Sequence, residues 1–353
     1  MRSILESLTD RPIGIFLSRV TVHFGIFPGY KGCMKHKILH VVTSGTGSEK
    51  FIPPFIDFIG RHFDIKEHQF LSLPREKPEK ILWCLYFSKK IIIHGLWNEK
   101  LNKFLFLQPW LFKKCYWVMW GGDFYFPDRQ SFFKKKIIKN VGQLITYIPG
   151  DIEYVRRNYK SGGRHVDCFM YKSNVFTATA MFLGSSSRIN IQVGNSADPT
   201  NNHSAVFSLL KRFSDFDVHI YAPLSYGNMT YARQVEQEGR RLFGDKFKPF
   251  TDFMAYNEYV EFLEKIDIAI FAHNRQQAMG NIINLLGLGK KVYLRSDISS
   301  WQFFLGIGVK VFDVYEFTMD KMTPADASLN ISLIKNYFSE KKYLQQLKTI
   351  FEE

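Results

Sequence analysis

The chain has 353 residues and a formal net charge of +14, and 46% of its residues are hydrophobic, including 34 phenylalanines. This apolar content excludes a disordered chain, and no run reaches the about 20 uninterrupted apolar residues that a membrane-spanning helix needs. The length predicts two domains of ordinary size, each able to bury its own core.

Residues 1–33 form a segment that we expect to lie outside the fold. They contain an apolar piece at 13–17, but Arg19 and His23 follow it without a small-residue cleavage site, which argues against a signal peptide. A clean predicted strand begins soon after Met34. The four cysteines are scattered without a CxxC pair, a pattern typical of reduced thiols in a cytoplasmic protein.

From Lys37 onward, short apolar runs alternate with amphipathic ones, which predicts parallel sheets wrapped by helices. In the first half the predicted strands are 38–43, 65–71, 90–94, 116–120 and 144–148, and the predicted helices are 51–63, 97–112, 131–141 and 151–159. In the second half the predicted strands are 189–193, 218–222, 268–271, 291–294 and a short one near Val311. The predicted helices there are 202–213, 229–243, 256–265, 280–288 and a last one from Pro324 to the end.

A small polar segment at 184–187 is suited to a hinge between the two halves. It predicts a first domain at 34–183 and a second at 184–353, both doubly wound α/β domains of the Rossmann type that face each other across a cleft.

The positive charge is concentrated in the first half. Residues 1–183 contain 28 lysines and arginines against 14 acidic residues, whereas residues 184–353 contain 19 of each. A basic domain joined to a neutral one indicates a first domain that faces an anionic surface, either a membrane or a nucleic acid. A generically basic soluble domain explains the same counts.

Two polar turns of the second half follow predicted strands and precede predicted helices. In the first, the strand 189–193 breaks at Gly194, where the unpaired N–H groups and positive dipole of a helix start favour a phosphate. In the second, the strand 268–271 precedes a turn with the cation of Arg275. Carboxyl ends of parallel strands open at one edge, so we expect both turns to bind one nucleotide diphosphate. The candidate donor-binding residues are Gly194, Asn195, Ser196, Asp198, His203, Tyr226, Asn274, Arg275, Gln276, Gln277, Gly280 and Asn281. Among them, Tyr226 is expected to stack on the base.

The first half offers candidate catalytic side chains at three predicted strand ends. Asp123 directly follows two glycines at such an end, which leaves room for a substrate hydroxyl and suits a general base. Plainer interpretations stay open, with Asp123 capping the next helix and His94 as a buried core histidine. The candidate catalytic residues are Asp123, His94 and His40, and the candidate acceptor-side residues are Ser44, Trp120, Gly121 and Gly122.

Asp215-Phe216-Asp217 matches the DxD pattern with which some glycosyltransferases hold a metal. It precedes a predicted strand and therefore lies at the amino edge, away from the cleft. We interpret it as a solvated turn and predict no metal and no cofactor.

An aromatic run at 104–112 lies beside Lys113 and Lys114, and further basic clusters follow at 134–136 and 156–157. Aromatic and cationic side chains together are typical of a protein that rests on an anionic membrane surface. A buried crossover helix with solvated lysines accounts for the same residues.

Several motifs of the chain resemble one family of enzymes. They are ILHV at 38–41, HG at 94–95 with WN at 97–98, WGGDFY at 120–125, VGNSAD at 193–198 with His203, and RQQ at 275–277 with Gly280. In this order they resemble the TDP-N-acetylfucosamine:lipid II N-acetylfucosaminyltransferases of glycosyltransferase family 56, bacterial enzymes of enterobacterial common antigen synthesis. The resemblance runs from about Ile38 to Trp301. The WGGDFY motif departs from the family at Gly122, where the family has alanine.

The resemblance implies a GT-B fold without a metal. It also implies transfer of a 4-acetamido-4,6-dideoxyhexose from a dTDP-sugar to an undecaprenyl-diphosphate-linked saccharide, for a common antigen or an O-antigen. The enzyme would be peripheral, at the cytoplasmic face of the bacterial inner membrane.

Two alternatives stay open. A nucleotide-sugar epimerase or hydrolase of GT-B fold would convert the donor alone. A non-catalytic nucleic-acid-binding protein would carry aromatic and basic residues interleaved on exposed strands; that pattern is missing from the sequence, and we therefore predict no nucleic-acid partner.

Overall fold

The computed structural model describes residues 37–45, 48–177, 188–252, 254 and 256–352. The predicted extension at 1–33 and the predicted hinge at 184–187 lie outside these residues. Within them, two six-stranded parallel sheets with surrounding helices form the chain.

The first sheet has the strand order β2-β1-β3-β4-β5-β6, and every pair of neighbours is parallel. Apolar strands such as Ile91-Ile92-Ile93 are buried because helices cover both faces of a parallel sheet. The strands are β1 (Ile38–Thr43), β2 (His68–Leu73), β3 (Lys90–His94), β4 (Cys115–Val118), β5 (Gln143–Ile145) and β6 (Arg164–Val166). The helices are α1 (Ser48–His62), α2 (Pro78–Phe87), α3 (Glu99–Leu107), α4 (Phe132–Asn140) and α5 (Pro149–Tyr159).

The second sheet has the order β12-β11-β10-β7-β8-β9 and is also parallel throughout. Its strands are β7 (Ile189–Val193), β8 (Val218–Pro223), β9 (Phe247–Phe250), β10 (Ile268–Phe271), β11 (Lys291–Leu294) and β12 (Phe312–Asp313). Its helices are α6 (His203–Leu210), α7 (Met229–Phe243), α8 (Tyr256–Lys265), α9 (Met279–Gly287), α10 (Ser299–Gly306), α11 (Pro324–Tyr337) and α12 (Glu340–Glu352).

Several predicted elements have different bounds in the structure. The predicted helix 97–112 ends at Leu107, and a short 3-10 helix follows from Pro109, whose ring suits the first position of a new helical turn. The predicted strand 65–71 begins only at His68, because Asp64 caps a 3-10 turn before it. Among the described residues, Cys115 and Cys168 are buried free thiols, as the scattered cysteines predicted.

The last helix, α12, returns to the first half of the chain. The Tyr343 hydroxyl donates to the Met170 carbonyl at 3.0 Å, and the Gln346 amide donates to Asp167 at 2.8 Å. The Phe351 ring packs against His68 at a centroid distance of 4.6 Å. The domain division at residues 183 and 184 therefore separates the two sheets but not the last helix, and its position stays a prediction.

Candidate active site

The carboxyl ends of the two sheets face each other, and three contacts define how they are matched. At one end, Lys50 Nζ of α1 lies 3.6 Å from the ring centroid of Tyr226, which follows β8. In the middle, a side-chain carbon on Gly121 would lie 2.7 Å from the Gln276 carbonyl. The turn after β4 therefore touches the turn after β10.

The third contact joins the start of α5 to the start of α10. The buried carboxylate of Asp151 accepts hydrogen bonds from the Tyr125 hydroxyl at 2.7 Å and the Ser299 hydroxyl at 2.6 Å. Its pKa is raised to about 6, chiefly by burial. The strand ends after β1, β4 and β5 thus lie opposite those after β8, β10 and β11, and a narrow cleft runs between them.

On the second-half side, the turns after β7, β8 and β10 form one hydrogen-bonded network. The Asn195 amide donates to the Tyr226 hydroxyl at 2.8 Å, and the Gln277 amide donates to Asn195 at 3.4 Å. The Thr200 hydroxyl donates to the Gln277 side-chain oxygen at 2.7 Å. The predicted donor-binding amides therefore share one crevice.

Arg275 brings a cation into this crevice. Its guanidinium lies 3.5 Å from the Asp198 carboxylate and donates to the Gln276 carbonyl at 3.0 Å. Burial lowers the pKa of Arg275, while Asp198 and more distant acidic groups oppose that shift. A cation this poorly solvated attracts a ligand anion more strongly than a surface arginine does.

Three buried polar residues support the turn after β7 from behind. The side-chain oxygen of Asn201 accepts from the Asn195 N–H at 2.9 Å and lies 2.9 Å from His273 Nε2. Gly194 has φ +65°, and a side-chain carbon there would lie 2.6 Å from that oxygen and 2.9 Å from His203 Nε2. Only glycine fits at this position. Asn201 and His273 could not be identified from the sequence, since their role depends on contacts between separate loops.

The first turn differs from the geometry expected of a phosphate site, and phosphate binding there stays a prediction. The N–H groups of Gly194 and Asn195 already donate to the Ile270 carbonyl and the Asn201 side chain, each at 2.9 Å. Helix α6 begins only at His203, after a 3-10 turn. His203 is itself fully buried, and burial lowers its pKa to about 4, so it supports the turn from behind.

The second predicted turn keeps a helix start at the cleft. Helix α9 follows Ala278, which has φ +59°, and its first hydrogen bond closes from the Ile282 N–H to the Ala278 carbonyl. The N–H groups of the first turn of α9, which include those of Gly280 and Asn281, are therefore not used within the helix. Gly280 also packs against the Ser173 carbonyl of the first half. Asn274 accepts from Asn202 and from Arg295, each at 2.8 Å.

Tyr226 is 40% exposed, and Lys50 lies over its ring. This arrangement differs from the expected free ring for base stacking. Burial lowers the pKa of Lys50. Lys50 was missed by sequence reasoning because nothing along the chain links it to a tyrosine 176 positions away in the other sheet.

Asp123, the predicted general base, lies behind the cleft wall in the structure. Its carboxylate is fully buried and accepts from the Trp117 indole at 2.7 Å, the Leu96 N–H at 3.0 Å and the Trp120 N–H at 3.1 Å. These three internal donors give it a structural role, and its role as a general base stays a prediction. Asp123 holds the loop after β3 and the loop after β4 together.

His40 and His94 are the other two predicted bases, and that role stays a prediction as well. Both are fully buried, and they form a chain in which His40 lies 3.0 Å from His68 and 3.1 Å from His94. His94 Nδ1 lies 2.7 Å from the Tyr171 hydroxyl, to which the Trp120 indole donates at 3.1 Å. Burial lowers the pKa of both histidines, that of His94 to about 3.

The predicted acceptor-side residues lie in different places relative to the cleft. Gly121 and Gly122 face Arg275 and Gln276 across the cleft, and Trp120 is partly buried beside them. Ser44 directly follows β1, and its hydroxyl lies 2.6 Å from that of Ser72.

An aromatic–basic patch lies outside the cleft, formed by Leu107, Trp110 and Phe132 with Lys113 and Lys136. The three apolar side chains are 51%, 60% and 58% exposed, and Lys136 Nζ lies 5.4 Å from the Phe132 ring centroid. The predicted run 104–112 is therefore not entirely a buried crossover helix. Among the helices of the described ranges, none combines the length and the hydropathy that a transmembrane span requires.

Two parallel α/β domains that face each other across a polar cleft, with a last helix that returns to the first domain, define a GT-B fold. Solved structures agree with this fold. A glycosyltransferase from Rickettsia africae matches with a TM-score of 0.62 at 13% identity, over 90% of this chain and 98% of its own. HepE of Anabaena, solved with UDP and glucose, matches with a TM-score of 0.63 at 12% identity, over 90% and 99%. Sucrose-phosphate synthase of Thermosynechococcus elongatus matches at 0.60 and 12%, over 90% and 98%.

The family follows from the sequence itself. The family model described as 4-alpha-L-fucosyltransferase, glycosyl transferase group 56, matches residues 86–345. The chain belongs to this family, and the resemblance drawn from its motifs is confirmed.

Proposed function

We propose that this glycosyltransferase moves a 4-acetamido-4,6-dideoxyhexose from a dTDP-sugar to an undecaprenyl-diphosphate-linked saccharide, in common antigen or O-antigen synthesis. The observation that carries the donor side is the single crevice formed by Asn195, Gln277 and Arg275. It combines neutral amide donors for ribose hydroxyls and phosphate oxygens with one poorly solvated cation.

The reaction needs the diphosphate to leave as the glycosidic bond breaks, so negative charge develops on its oxygens. Arg275 and the first turn of α9 supply positive charge at one side of the crevice. Lys50 supplies a second cation from the opposite side, where it lies 3.6 Å from the Tyr226 ring. Because these groups come from both sheets, the closed cleft stabilises the leaving group better than either half alone and also excludes water.

The donor assignment is tested by thermal shift with dTDP, UDP and GDP. A nucleotide at 100 times its Kd stabilises the native protein by about 2.7 kcal/mol, so dTDP should raise the melting temperature most. Lys50→Ala should weaken that shift, whereas Lys66→Ala, an exposed lysine outside the cleft, should keep it. Equal shifts from all three nucleotides would remove the dTDP assignment.

The acceptor assignment is tested by product analysis with and without an undecaprenyl-diphosphate-linked saccharide. Transfer should require the lipid-linked acceptor. Conversion of the donor alone would favour an epimerase or hydrolase, and tight RNA binding without any nucleotide shift would favour a nucleic-acid-binding protein.

We further propose that the protein works at the cytoplasmic face of the bacterial inner membrane, with the aromatic–basic patch on the lipid surface. Partly inserted aromatic side chains and nearby lysines together give affinity for anionic vesicles. Replacing Trp110 and Phe132 by serine should abolish sedimentation with such vesicles. Phe216→Ser, which changes a phenylalanine 48% exposed in the second half, should not.

A further inference from the structure

A cavity of about 710 Å³ lies between the two halves, at the end of the cleft where α5 meets α10. Its walls come from helices of both halves, with Tyr154 and Arg157 on α5 and Gln302 on α10. Its floor is the Tyr125–Asp151–Ser299 contact described above, in which one carboxylate joins the two halves. The cavity is therefore complete only while the cleft is closed.

The lining has the chemistry of a site for a neutral, hydroxyl-rich ring. The Tyr154 ring packs against Tyr125 at a centroid distance of 4.4 Å and gives the cavity an aromatic wall. Planar polar side chains with donors and acceptors stand around it, among them Glu153, Arg157 and Gln302. A pyranose ring needs both surfaces, because its C–H faces pack on aromatic rings while its hydroxyls take in-plane hydrogen bonds.

The charges of the lining argue against a diphosphate in this cavity. Arg157 shares the lining with the carboxylates of Glu153 and Asp297, and Asp297 is itself paired with Arg295 at 2.6 Å. The lining thus has no excess of positive charge.

The cavity opens next to the donor crevice. Asn274 lines the cavity, and its side-chain oxygen accepts from Asn202 at 2.8 Å, in the loop that also carries Asn201. It belongs to the same turn as Arg275 and Gln276. A sugar in the cavity would therefore lie one turn away from the groups that hold the leaving diphosphate.

We propose that this cavity binds a pyranose unit of the acceptor saccharide. The inference rests on the proposed function, whose acceptor it places at the junction of α5 and α10. Arg157, Tyr154 and Gln302 are specificity-determining residues of this subsite.

Arg157→Ala is the test, and Arg156→Ala is its matched control, since both arginines are exposed neighbours on α5 and only Arg157 lines the cavity. In transfer assays, Arg157→Ala and Gln302→Ala should each raise the acceptor KM about tenfold, the loss of one good hydrogen bond to the ligand. The donor KM should stay at the wild-type value, and Arg156→Ala should match the wild type. A raised donor KM would instead make the cavity a nucleoside site, and unchanged constants would overturn the proposal while transfer itself stands.

A second measurement does not depend on the donor. Saturation-transfer NMR with the methyl glycosides of glucose and N-acetylglucosamine should give signals with the wild type and Arg156→Ala and clearly weaker ones with Arg157→Ala. Such signals without transfer from any dTDP-sugar would leave the cavity assigned and the donor wrong. Absent signals, or equal ones from both variants, would refute the saccharide site.

Discussion

Replacing Asp123 with asparagine separates a structural role from a catalytic one. The carboxylate accepts three buried hydrogen bonds, two on Oδ2 from Leu96 and Trp117 and one on Oδ1 from Trp120. Asparagine has a single acceptor oxygen, so its NH2 group must face at least one of these N–H donors. One buried donor without an acceptor costs about 1–3 kcal/mol. We therefore expect Asp123→Asn to lower the free energy of unfolding by at least that amount.

The assay is chemical denaturation followed by tryptophan fluorescence, since Trp117 and Trp120 both contact the substituted group. Asp128→Asn is the matched control, because Asp128 is exposed five residues further along and should unfold like the wild type. At a temperature well below unfolding, we expect the transfer rate of Asp123→Asn to decrease only through displacement of the loop that carries Trp120.

The refuting result is a variant that unfolds like the wild type and loses 100-fold or more in kcat. Loss of a general base costs about 10²–10⁴-fold without any need for lost stability. That pattern would restore Asp123 to the chemistry in spite of its three internal donors.

Two further predictions concern pH and the cleft. His94 and His203 should each lower the free energy of unfolding by about 2 kcal/mol between pH 7 and pH 5. Their pKa values of about 3 and 4 keep both histidines neutral in the folded protein, whereas in the unfolded chain they take up protons below about pH 6.5. Asp151, with its pKa raised to about 6, takes up a proton in this range only in the folded protein and offsets about 1.4 kcal/mol of that decrease. Urea titrations should therefore still show a net decrease in the free energy of unfolding at pH 5. Equal stability at both pH values would contradict the buried histidines. Gly121→Ala should cost about 1–2 kcal/mol for its positive φ and also lower kcat, since the new carbon meets the opposite turn. Gly162→Ala, with open space around it, should melt and transfer like the wild type, and an unchanged Gly121→Ala would show that the two turns separate during catalysis.

The architecture was predictable because buried parallel strands are continuous apolar runs. The predicted bounds of β1, β3, β7, β10 and β11 match the structure. The missed strands β6 and β9 lie at sheet edges, where exposed residues such as Arg164 and Lys248 remove the apolar signal. Helix α2 was missed as well, although Pro78 stands at its first turn.

The sequence predicted which polar turns lie next to each other, but not which of their side chains face the cleft. Topology alone brings the ends of β7 and β10 to one edge, so Asn195 and Gln277 could be expected to meet. Whether a polar side chain faces the cleft depends on its partners in other loops. Asn195 is buried and its amide donates to the Tyr226 hydroxyl of the next turn, whereas Asp123 turns inward to three donors that the sequence separates by as many as 27 positions.

The histidine chain shows how inward-facing polar groups still serve the cleft. An indole N–H can only donate, so Tyr171 accepts from Trp120. The chain continues from the Tyr171 hydroxyl to His94, from His94 to His40 and from His40 to His68, so that each ring nitrogen of His40 and His94 has one partner in it. Because His40, His68 and His94 lie on β1, β2 and β3, the chain ties the Trp120 side chain to three strands of the first sheet.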